Sequence, residues 1–427
     1  MAATGAQKLS SNIRRIGHLD IPGGGQVVVE DGFAYIGHMS PPHGTSIIDV
    51  RDPANPRLAA RIMLEGGASH SHKARVAGDL MIVNVERDNR HFLRKGDRLA
   101  ELRAALAARL GRPPQDSELA AEIGVEAGDI PVLDAARERG YGEGGFRLYD
   151  VSDKARPRLI HHQPTGGIGV HRFDMDGSHA YISTEMEGYV GNILVVYDLA
   201  DPARPREVSR WHMPGQHIAA GEVPTWAGER HRLHHALRVG DELWAAVWFA
   251  GLRVLDASDI TSLREIGRLQ YQPPFPEPTH TVLPLSRPIG GRRIAIAIDE
   301  EHAKPGGQPH AFMWVLDVTD LSDIRAVSTF HVGESASPWG DGRSGRFGAH
   351  QFQEHLDSTL VFATWFAGGL RIIDVADPSV PREVGHFIPE PVAGAAAPQS
   401  NDVDVGPDGL IYLLDRVNGF DILEFAP

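Results

Sequence analysis

Apolar residues recur along this 427-residue chain in short alternating runs and not in long helical stretches. Strings such as "TSIIDV", "ILVVYDL", "LRVLD", "MWVLDV" and "LRIIDV" contain or end on an aspartate, and a second short run follows within a few residues. Alternation of that length, bounded by turn residues, is typical of β-strands. The pattern therefore predicts a chain made of many short strands.

The aspartates of these runs mark copies of a repeat. They are Asp49, Asp150, Asp198, Asp256, Asp317 and Asp374, with Glu424 in a seventh, partial copy. Outside one long gap they recur roughly every fifty to sixty residues, which is the period of a four-stranded propeller blade. The sequence therefore predicts an all-β fold, a seven-bladed β-propeller.

The two chain ends are expected to complete one blade together. The last copy stops after its third strand, at "DILEF", while the N-terminal "NIRRIGHLDIP" is similar to the fourth strand "PREVGHFIP" of the copy before it. A strand around Ile13 to Leu19 should therefore pair beside a strand around Ile422 to Phe425. Such pairing closes the ring and leaves no exposed sheet edge between the first and last blades.

The long gap between aspartates holds a segment of different composition. Residues 87–144 include "LAELRAALAARL" and "DSELAAEI", which combine helical periodicity with strong helix formers. Breaks at 111–114 and near 128–131 predict three short helices. We expect residues 1–427 to form a single propeller domain, with 87–144 as a helical insert between the second and third strands of blade two.

The insert is too apolar to stand free in water. The alanine- and leucine-rich face of "LAELRAALAARL" should pack either on the propeller or on a second subunit. In the first case the insert is a lid over the channel mouth, and in the second it is the arm of a homodimer. The lid is the favoured interpretation.

The repeat motif resembles the LVIVD repeat of bacterial propeller proteins. The resemblance is carried by "SIIDVRDPANPRL" and "RIIDVADPSVPREVG" and extends over nearly the whole chain outside the insert. It implies the propeller fold and says little about activity, because propellers carry unrelated functions.

Composition excludes several function classes. There are no cysteines, which excludes disulfides, thiolate ligands and cysteine nucleophiles. A formal net charge of −14 argues against nucleic acid as the main partner. No stretch has the length and apolarity of a membrane span or signal peptide. These features predict a cytoplasmic protein without nucleic-acid or membrane partners, and an export signal already removed is the alternative.

Five blades place a histidine at the start of the strand that lines the central channel. Alternating residues after each one, as in His171-Arg-Phe-Asp-Met, align them. Asn401 and Gly25 take the position in the other two blades, and blade four is ambiguous because His234 precedes His235. The aligned histidines are His72, His171, His235, His280 and His350.

A ring of imidazoles on the channel axis predicts a metal site. Protonated imidazoles would repel one another there, whereas a divalent cation turns neutral imidazoles into ligands. We expect three or four to ligate at once, and a site of nitrogen and oxygen atoms suits Fe(II), Zn, Mn, Cu or Ni. Among the loop carboxylates of the same face, Glu185 and Glu300 are the preferred catalytic pair, as a general base or as partners of imidazole N–H groups.

The histidine pattern resembles that of the carotenoid-cleavage oxygenases, which hold a non-haem iron on a propeller axis with four histidines. It is distantly similar to the selenium-binding protein/methanethiol oxidase family, whose cysteines are absent here. The likeness is carried by "ASHSHKARV", "GVHRFD", "LHHALRV", "PTHTVL" and "GAHQFQ". It implies Fe(II) and an oxygenase or oxidase of a small organic substrate.

Two other functions stay open from the sequence. The same metal could act as a Lewis acid in a redox-neutral hydrolase or lyase, with a loop carboxylate as the base. A propeller without metal could instead be a non-catalytic scaffold that binds a protein partner.

Overall fold

In a computed structural model of the protein, the chain forms successive antiparallel blades around a central channel. The structure describes residues 9–139, 141–224, 226, 231–302, 308–341, 345–392 and 394–427. Within them, thirty strands make up seven blades. The predicted fold class is confirmed.

The blades follow one another in chain order, and each has its first strand at the channel. Two strands precede them, β1 (Ser10–Ser11) and β2 (Ile13–Pro22). Blade one is β3 (Gly24–Glu30), β4 (Phe33–His38), β5 (His43–Asp49) and β6 (Arg57–Met63). Blade two is β7 (Ser69–His70) with β8 (Ala74–Ala77), then β9 (Leu80–Arg87), β10 (Gly145–Asp150) and β11 (Arg158–Pro164). Blade three is β12 (Gly166–Met175), β13 (His179–Glu185), β14 (Ile193–Asp198) and β15 (Arg206–Trp211).

The remaining blades repeat this order. Blade four is β16 (His235–Val239), β17 (Glu242–Ala246), β18 (Leu252–Asp256) and β19 (Arg264–Leu269). Blade five is β20 (Thr279–Pro284), β21 (Ile294–Asp299), β22 (Met313–Asp317) and β23 (Arg325–Phe330). Blade six is β24 (Ala349–Phe352), β25 (Leu360–Trp365), β26 (Gly369–Asp374) and β27 (Arg382–Phe387). Blade seven is β28 (Ser400–Val405), β29 (Ile411–Asp415) and β30 (Asn418–Phe425), with β2 as its fourth strand.

Apolar residues fill the space between neighbouring blades. Tyr181 of blade three, for example, belongs to the same buried cluster as Leu243 and Leu255 of blade four. The inner strands are buried on both faces, as in β21, whereas outer strands such as β6 are exposed or half-buried. The hydrophobic effect therefore fixes each blade against the next and holds the channel open along the axis.

The repeated aspartate closes the turn between the third and fourth strands. At the end of β18, one carboxylate oxygen of Asp256 accepts from the backbone N–H of Ser258 at 3.0 Å. The other accepts from Nη2 of Arg264 at 2.8 Å. Asp150 with Arg158, and Asp198 with Arg206, repeat this pairing. The most visible sequence repeat is thus a turn clamp with a structural role.

The N-terminal strand completes blade seven, as predicted. β2 pairs antiparallel with β30 from Ile13 opposite Phe425 to Pro22 opposite Asn418. β1 pairs with β27 at the outer edge of blade six. The two chain ends are therefore held in one sheet, and the ring is closed by backbone hydrogen bonds between them.

The insert of blade two is helical and lies between β9 and β10. It contains α1 (Arg90–Leu93), a 3₁₀ turn (Arg94–Arg98), α2 (Leu99–Leu110), α3 (Asp116–Ile123) and α4 (Ile130–Arg139). The short α1 was not expected from the sequence. Leu99, Leu102 and Leu106 of α2 are buried with Leu133 of α4 and Ile168 of β12, so the apolar face packs within the chain. Among the described helices, none is long and apolar enough to cross a membrane.

Deletion of residues 1–20 should destabilise the whole propeller. It removes most of β2 and with it Ile13, which is 9% exposed and packs in the core between blades six and seven. Burying one such side chain contributes about 1.5 to 3 kcal/mol. We expect the unfolding midpoint to fall by about 5 °C or more. The control is deletion of residues 1–8, which precede β1; equal midpoints for the two truncations would contradict the closure.

Candidate metal centre

Five histidines form a continuous arc where the first strands of blades two to six begin. Their ring centroids lie 5.1, 5.1, 4.3 and 4.4 Å apart in sequence order. Four are buried, and the His171 side chain is 12% exposed. The members of the arc are His72, His171, His234, His280 and His350.

A β-bulge places three histidines of the arc, and the same bulge recurs in blades one and seven. The pairing between first and second strands skips one residue in blades one, three, five, six and seven. An extra residue of this kind leaves the ladder, so that its side chain is aimed differently from its neighbours. The skipped residues are Gly25, His171, His280, His350 and Asn401.

In blade four the arc contains His234, whereas the sequence alignment favoured His235. His235 pairs with Ala246 in the regular ladder, and the backbone N–H of His234 donates to the same Ala246 carbonyl at 2.8 Å. His234 is therefore the bulged residue. The alignment failed because it took Leu237 as the core-facing position, while the small Ala236 packs in the core between blades three and four. His235 instead lies one layer deeper, with Nδ1 3.4 Å from Glu354.

Hydrogen bonds to the next blade fix two of the imidazoles. His234 donates from Nδ1 to the carbonyl of His280 at 2.9 Å, and His350 donates from Nδ1 to the carbonyl of Asn401. A carbonyl only accepts, so Nδ1 carries the proton and Nε2 keeps its lone pair. Metal-binding histidines are oriented in this way by a carbonyl or carboxylate partner.

His171 and His280 present the same tautomer through side-chain partners. His171 donates from Nδ1 to Oε2 of Glu86 at 2.9 Å. His280 donates from Nδ1 to the Thr281 hydroxyl at 2.9 Å, because that hydroxyl donates its own proton to Gln351 at 2.5 Å. Four consecutive histidines of the arc therefore offer an unprotonated Nε2.

His72 differs from the other four. Its Nδ1 accepts from the Asn84 amide at 3.2 Å, and the orientation of that amide is set because its oxygen accepts from the Lys73 backbone at 2.9 Å. The proton of neutral His72 is therefore on Nε2, and this nitrogen is not a ligand in that tautomer. His72 belongs to the arc as predicted, but its hydrogen bond does not prepare it to bind a metal through Nε2.

Glu300 faces the arc. One ligand atom from each of His234, His280 and Glu300 lies within 4.8 Å of the other two. Nε2 of His280 is 3.9 Å from Oε2, and Nε2 of His350 is 3.8 Å from Oε1. Two ligands that each stand about 2.1 Å from a common ion are separated by roughly 3 to 4 Å. The gaps around Glu300 therefore match the size of a metal site.

Two further groups hold the Glu300 carboxylate in place. Arg346 donates to Oε1 at 2.9 Å, and Nε2 of His302 is 3.3 Å from Oε2. Burial acts to raise the pKa of Glu300, but His302 and the guanidinium of Arg346 outweigh it and hold that pKa well below its usual value. Glu300 is therefore a carboxylate at neutral pH.

The imidazoles of the arc are neutral. Burial lowers the pKa of His171, His234 and His280 far below the usual value, and arginine charges nearby add to the effect. Burial also lowers the pKa of His350 to about 3, against the opposing influence of Glu300. Neutral imidazole is the form that binds metal ions.

A second group of possible ligands lies at the other end of the arc. His70 and His72 stack at 4.3 Å and stand near the buried Glu86. Glu86, however, contacts Arg94 through Oε1 and His171 through Oε2, with Arg90 Nε at 3.4 Å. These partners already satisfy the carboxylate. The group around Glu300 is therefore the better candidate for a metal.

Glu185, the other carboxylate preferred from sequence, is placed elsewhere. Its Oε2 accepts from the backbone N–H of Ile168 at 3.3 Å, beneath the loop that contains Gly167. It is not among the described residues that line the cavity above the arc. Glu86 contacts His171 instead, while the start of β12 packs over Glu185.

The cavity above the arc has features that the sequence did not reveal. It is narrow, with a volume of about 40 Å³, and the insert contributes Arg90, His91 and Arg94 to its wall. Trp248 lines it with a backbone φ of 48°, a strained conformation for a bulky residue, and stacks on His234 at 4.9 Å. The arginines were missed because Arg90 and Arg94 lie in the insert, outside the repeat, so the repeat pattern does not align them with the histidines.

Comparison with known proteins supports the fold. Two stretches, residues 24–63 and 363–388, match the LVIVD repeat family. The chain is a β-propeller that contains LVIVD repeats. No curated protein matches the chain by sequence.

Solved propellers share the architecture of this chain at low identity. The C-terminal WD40 domain of Sif2 is 7% identical with a TM-score of 0.53, covering 96% of this chain and 98% of that chain. The WD40 propeller domain of Doa1 is 7% identical with a TM-score of 0.54, covering 96% and 97%. A chain of the mitotic checkpoint complex is 9% identical with a TM-score of 0.54, covering 100% and 95%. These likenesses concern the fold alone, and the resemblance to histidine-bearing oxygenases stays an expectation.

The bulge predicts different outcomes for two adjacent histidines. His234→Ala should lower the metal content of anaerobically purified protein by roughly tenfold or more. Loss of even a hydrogen-bond partner of a metal ligand typically lowers metal affinity by that much. The matched control is His235→Gln, which installs the residue that blade six carries at the equivalent position, Gln351. We expect the control to retain its metal. Elemental analysis would contradict this assignment if the His235 variant lost metal and the His234 variant kept it.

Proposed function

We propose that this protein is a metal-dependent enzyme with a divalent metal ion at the propeller axis, and that it is a non-haem oxygenase or oxidase of a small organic substrate. Fe(II) is the favoured metal, with Zn, Mn, Cu or Ni as alternatives. The proposal rests mainly on one observation. Four neutral imidazoles carry their proton on Nδ1, and two of the free Nε2 atoms stand 3.8 and 3.9 Å from the Glu300 carboxylate.

In this proposal His234, His280 and His350 are ligands, and His171 is a fourth. Glu300 either completes the set or accepts a proton beside it. A bound Fe(II) with open positions would supply the redox chemistry with O2. The protein's own contribution is to hold the imidazoles in one tautomer, to keep them neutral, and to exclude water by burial.

Glu300 and His302 form a pair that can move a proton at the rim of this site. His302 is 35% exposed at its side chain, whereas Glu300 is 7% exposed. A proton taken up at Oε2 of Glu300 can therefore pass to Nε2 of His302 and from there to solvent. The same pair would serve a redox-neutral hydrolase or lyase, which is the second candidate function.

Metal titration tests the proposal without knowledge of the substrate. Added Fe(II), Mn or Zn should raise the unfolding midpoint of the metal-free protein, because a ligand at about 100 times its Kd stabilises by roughly 2.7 kcal/mol. His280→Ala should abolish that rise. The control is His38→Gln, which changes a buried histidine whose two nitrogens both have partners, at 3.0 Å and 2.7 Å. A wild-type protein without stoichiometric metal and without a metal-induced shift would favour the scaffold.

Metal identity separates the two candidate chemistries. Iron in anaerobically purified protein, together with O2 consumption on exposure to air, would support the oxygenase or oxidase. Redox-silent zinc with full occupancy would support the hydrolase or lyase.

The insert acts as a lid in this proposal. Arg90, His91 and Arg94 reach the cavity from α1 and the turn after it, while the apolar face of α2 is buried inside the chain. Both features favour a lid that covers the channel mouth and argue against a dimer arm.

Replacement of residues 90–140 by a short Gly-Ser linker tests the lid. We expect the same metal content and the same number of subunits in solution. Removal of the metal by a chelator should be roughly tenfold faster or more, because the site opens to water. Residue 140 lies outside the described residues. If the rate of metal removal by the chelator were unchanged and a dimer became a monomer, the insert would be identified as a dimer arm.

A further inference from the structure

The cavity above the histidine arc carries a large excess of positive charge. Glu300 is the carboxylate among its described lining residues, and the carboxylate of Glu86 lies behind two of its arginines. Guanidinium groups stay charged at every pH at which a protein is folded. The arginines that line the cavity are Arg90, Arg94, Arg172, Arg232, Arg346 and Arg416.

Two of the arginines that line the cavity have buried donor atoms without a hydrogen-bond partner among the described residues. Arg172 is 3% exposed, and its Nε and Nη1 have no hydrogen-bond partner within the described part of the chain. Its nearest acid, Glu354, is 3.6 Å from Nη1. Nε of Arg416 is likewise buried without a partner there. A buried donor left unsatisfied is costly, so an acceptor supplied by a ligand would relieve that cost.

Aromatic rings hold three of the guanidinium groups at the wall of the cavity. Arg232 stacks over Trp248 at 4.7 Å, and Arg346 and Arg416 stack over Phe366 at 3.9 Å and 5.5 Å. Stacking uses the face of the guanidinium and leaves its N–H edge for hydrogen bonds. That edge matches the paired oxygens of a carboxylate or phosphate.

We propose that the substrate is a small organic oxyanion, a carboxylate or a phosphate, whose charged group binds among these arginines while its remainder lies over the histidine arc. This inference rests on the proposed function, because it names the substrate class of that site. A divalent ion at the arc would add two positive charges to the arginines. An anionic substrate balances them, whereas a neutral or cationic one does not.

The test measures anion binding by calorimetry at low salt, in the metal-free and the metal-loaded protein. The probes are inorganic phosphate and acetate, with acetamide as the neutral counterpart of acetate. We expect phosphate or acetate to bind and acetamide not to bind. Arg416→Gln should lower the affinity for the anion roughly tenfold or more, as expected for a lost charge-assisted hydrogen bond. Arg232→Gln is the second variant, in case the first fails to fold.

A matched control lies outside the cavity. Arg293 stacks over Trp244 at 5.2 Å, as Arg232 does over Trp248, but its partner is Glu242, at the end of β17 away from the arc. Arg293→Gln should leave anion binding unchanged. Binding of acetamide as tight as acetate, or equal affinity in the Arg416 and Arg293 variants, would overturn the inference while metal binding still stood. Anion binding to a protein that takes up no metal would overturn the proposed enzyme and leave the oxyanion site.

Discussion

The site depends on one extra backbone residue at the start of each channel strand. In a regular ladder, alternate residues face the channel and the blade core, so every polar side chain at the axis would need an apolar neighbour on each side. The bulge removes one residue from that alternation. It allows "HR", "HH", "HT" and "HQ" pairs, in which a residue of the arc is followed directly by a second channel-facing residue such as Arg172, His235, Thr281 or Gln351.

The bulge also explains how neighbouring blades set one another's chemistry. His234 bonds to the carbonyl of His280, and His350 to that of Asn401, so an imidazole of one blade is oriented by the bulged backbone of the next. Asn401 in turn donates to the Gly25 carbonyl across the closure between blades seven and one. Closure of the ring by β2 and orientation of the arc are therefore parts of one structure. Loosening a blade would disturb the tautomers as well as the core.

Most of the fold could be predicted from the sequence, because its signals are local and repeated. Strand alternation and the spacing of the repeated aspartates predict the number of blades. The incomplete last copy predicts the closure, and the long gap between aspartates predicts the place of the insert. The arc was predicted except in blade four, where a buried Leu237 concealed the bulge. Glu300 was predicted because it directly follows a strand. Glu86 was not among the preferred carboxylates, since only the folded start of β12 decides which carboxylate meets His171. The arginines of the cavity come from the insert, from β12 and from separate loops, and no shared position in the repeat joins them.

The side chains beneath the arc explain why His234 and His235 have different surroundings. Glu354 is fully surrounded there, in contact with Arg75 and within 3.4 Å of His235 and 3.6 Å of Arg172. Burial acts to raise its pKa, but the charges of Arg75 and Arg172 reverse that effect, so the carboxylate stays charged. A buried ionic group of this kind is stable only when its partners remain fixed. His235 therefore packs against the buried Glu354 carboxylate, and the bulge leaves His234 as the blade-four imidazole that lines the cavity.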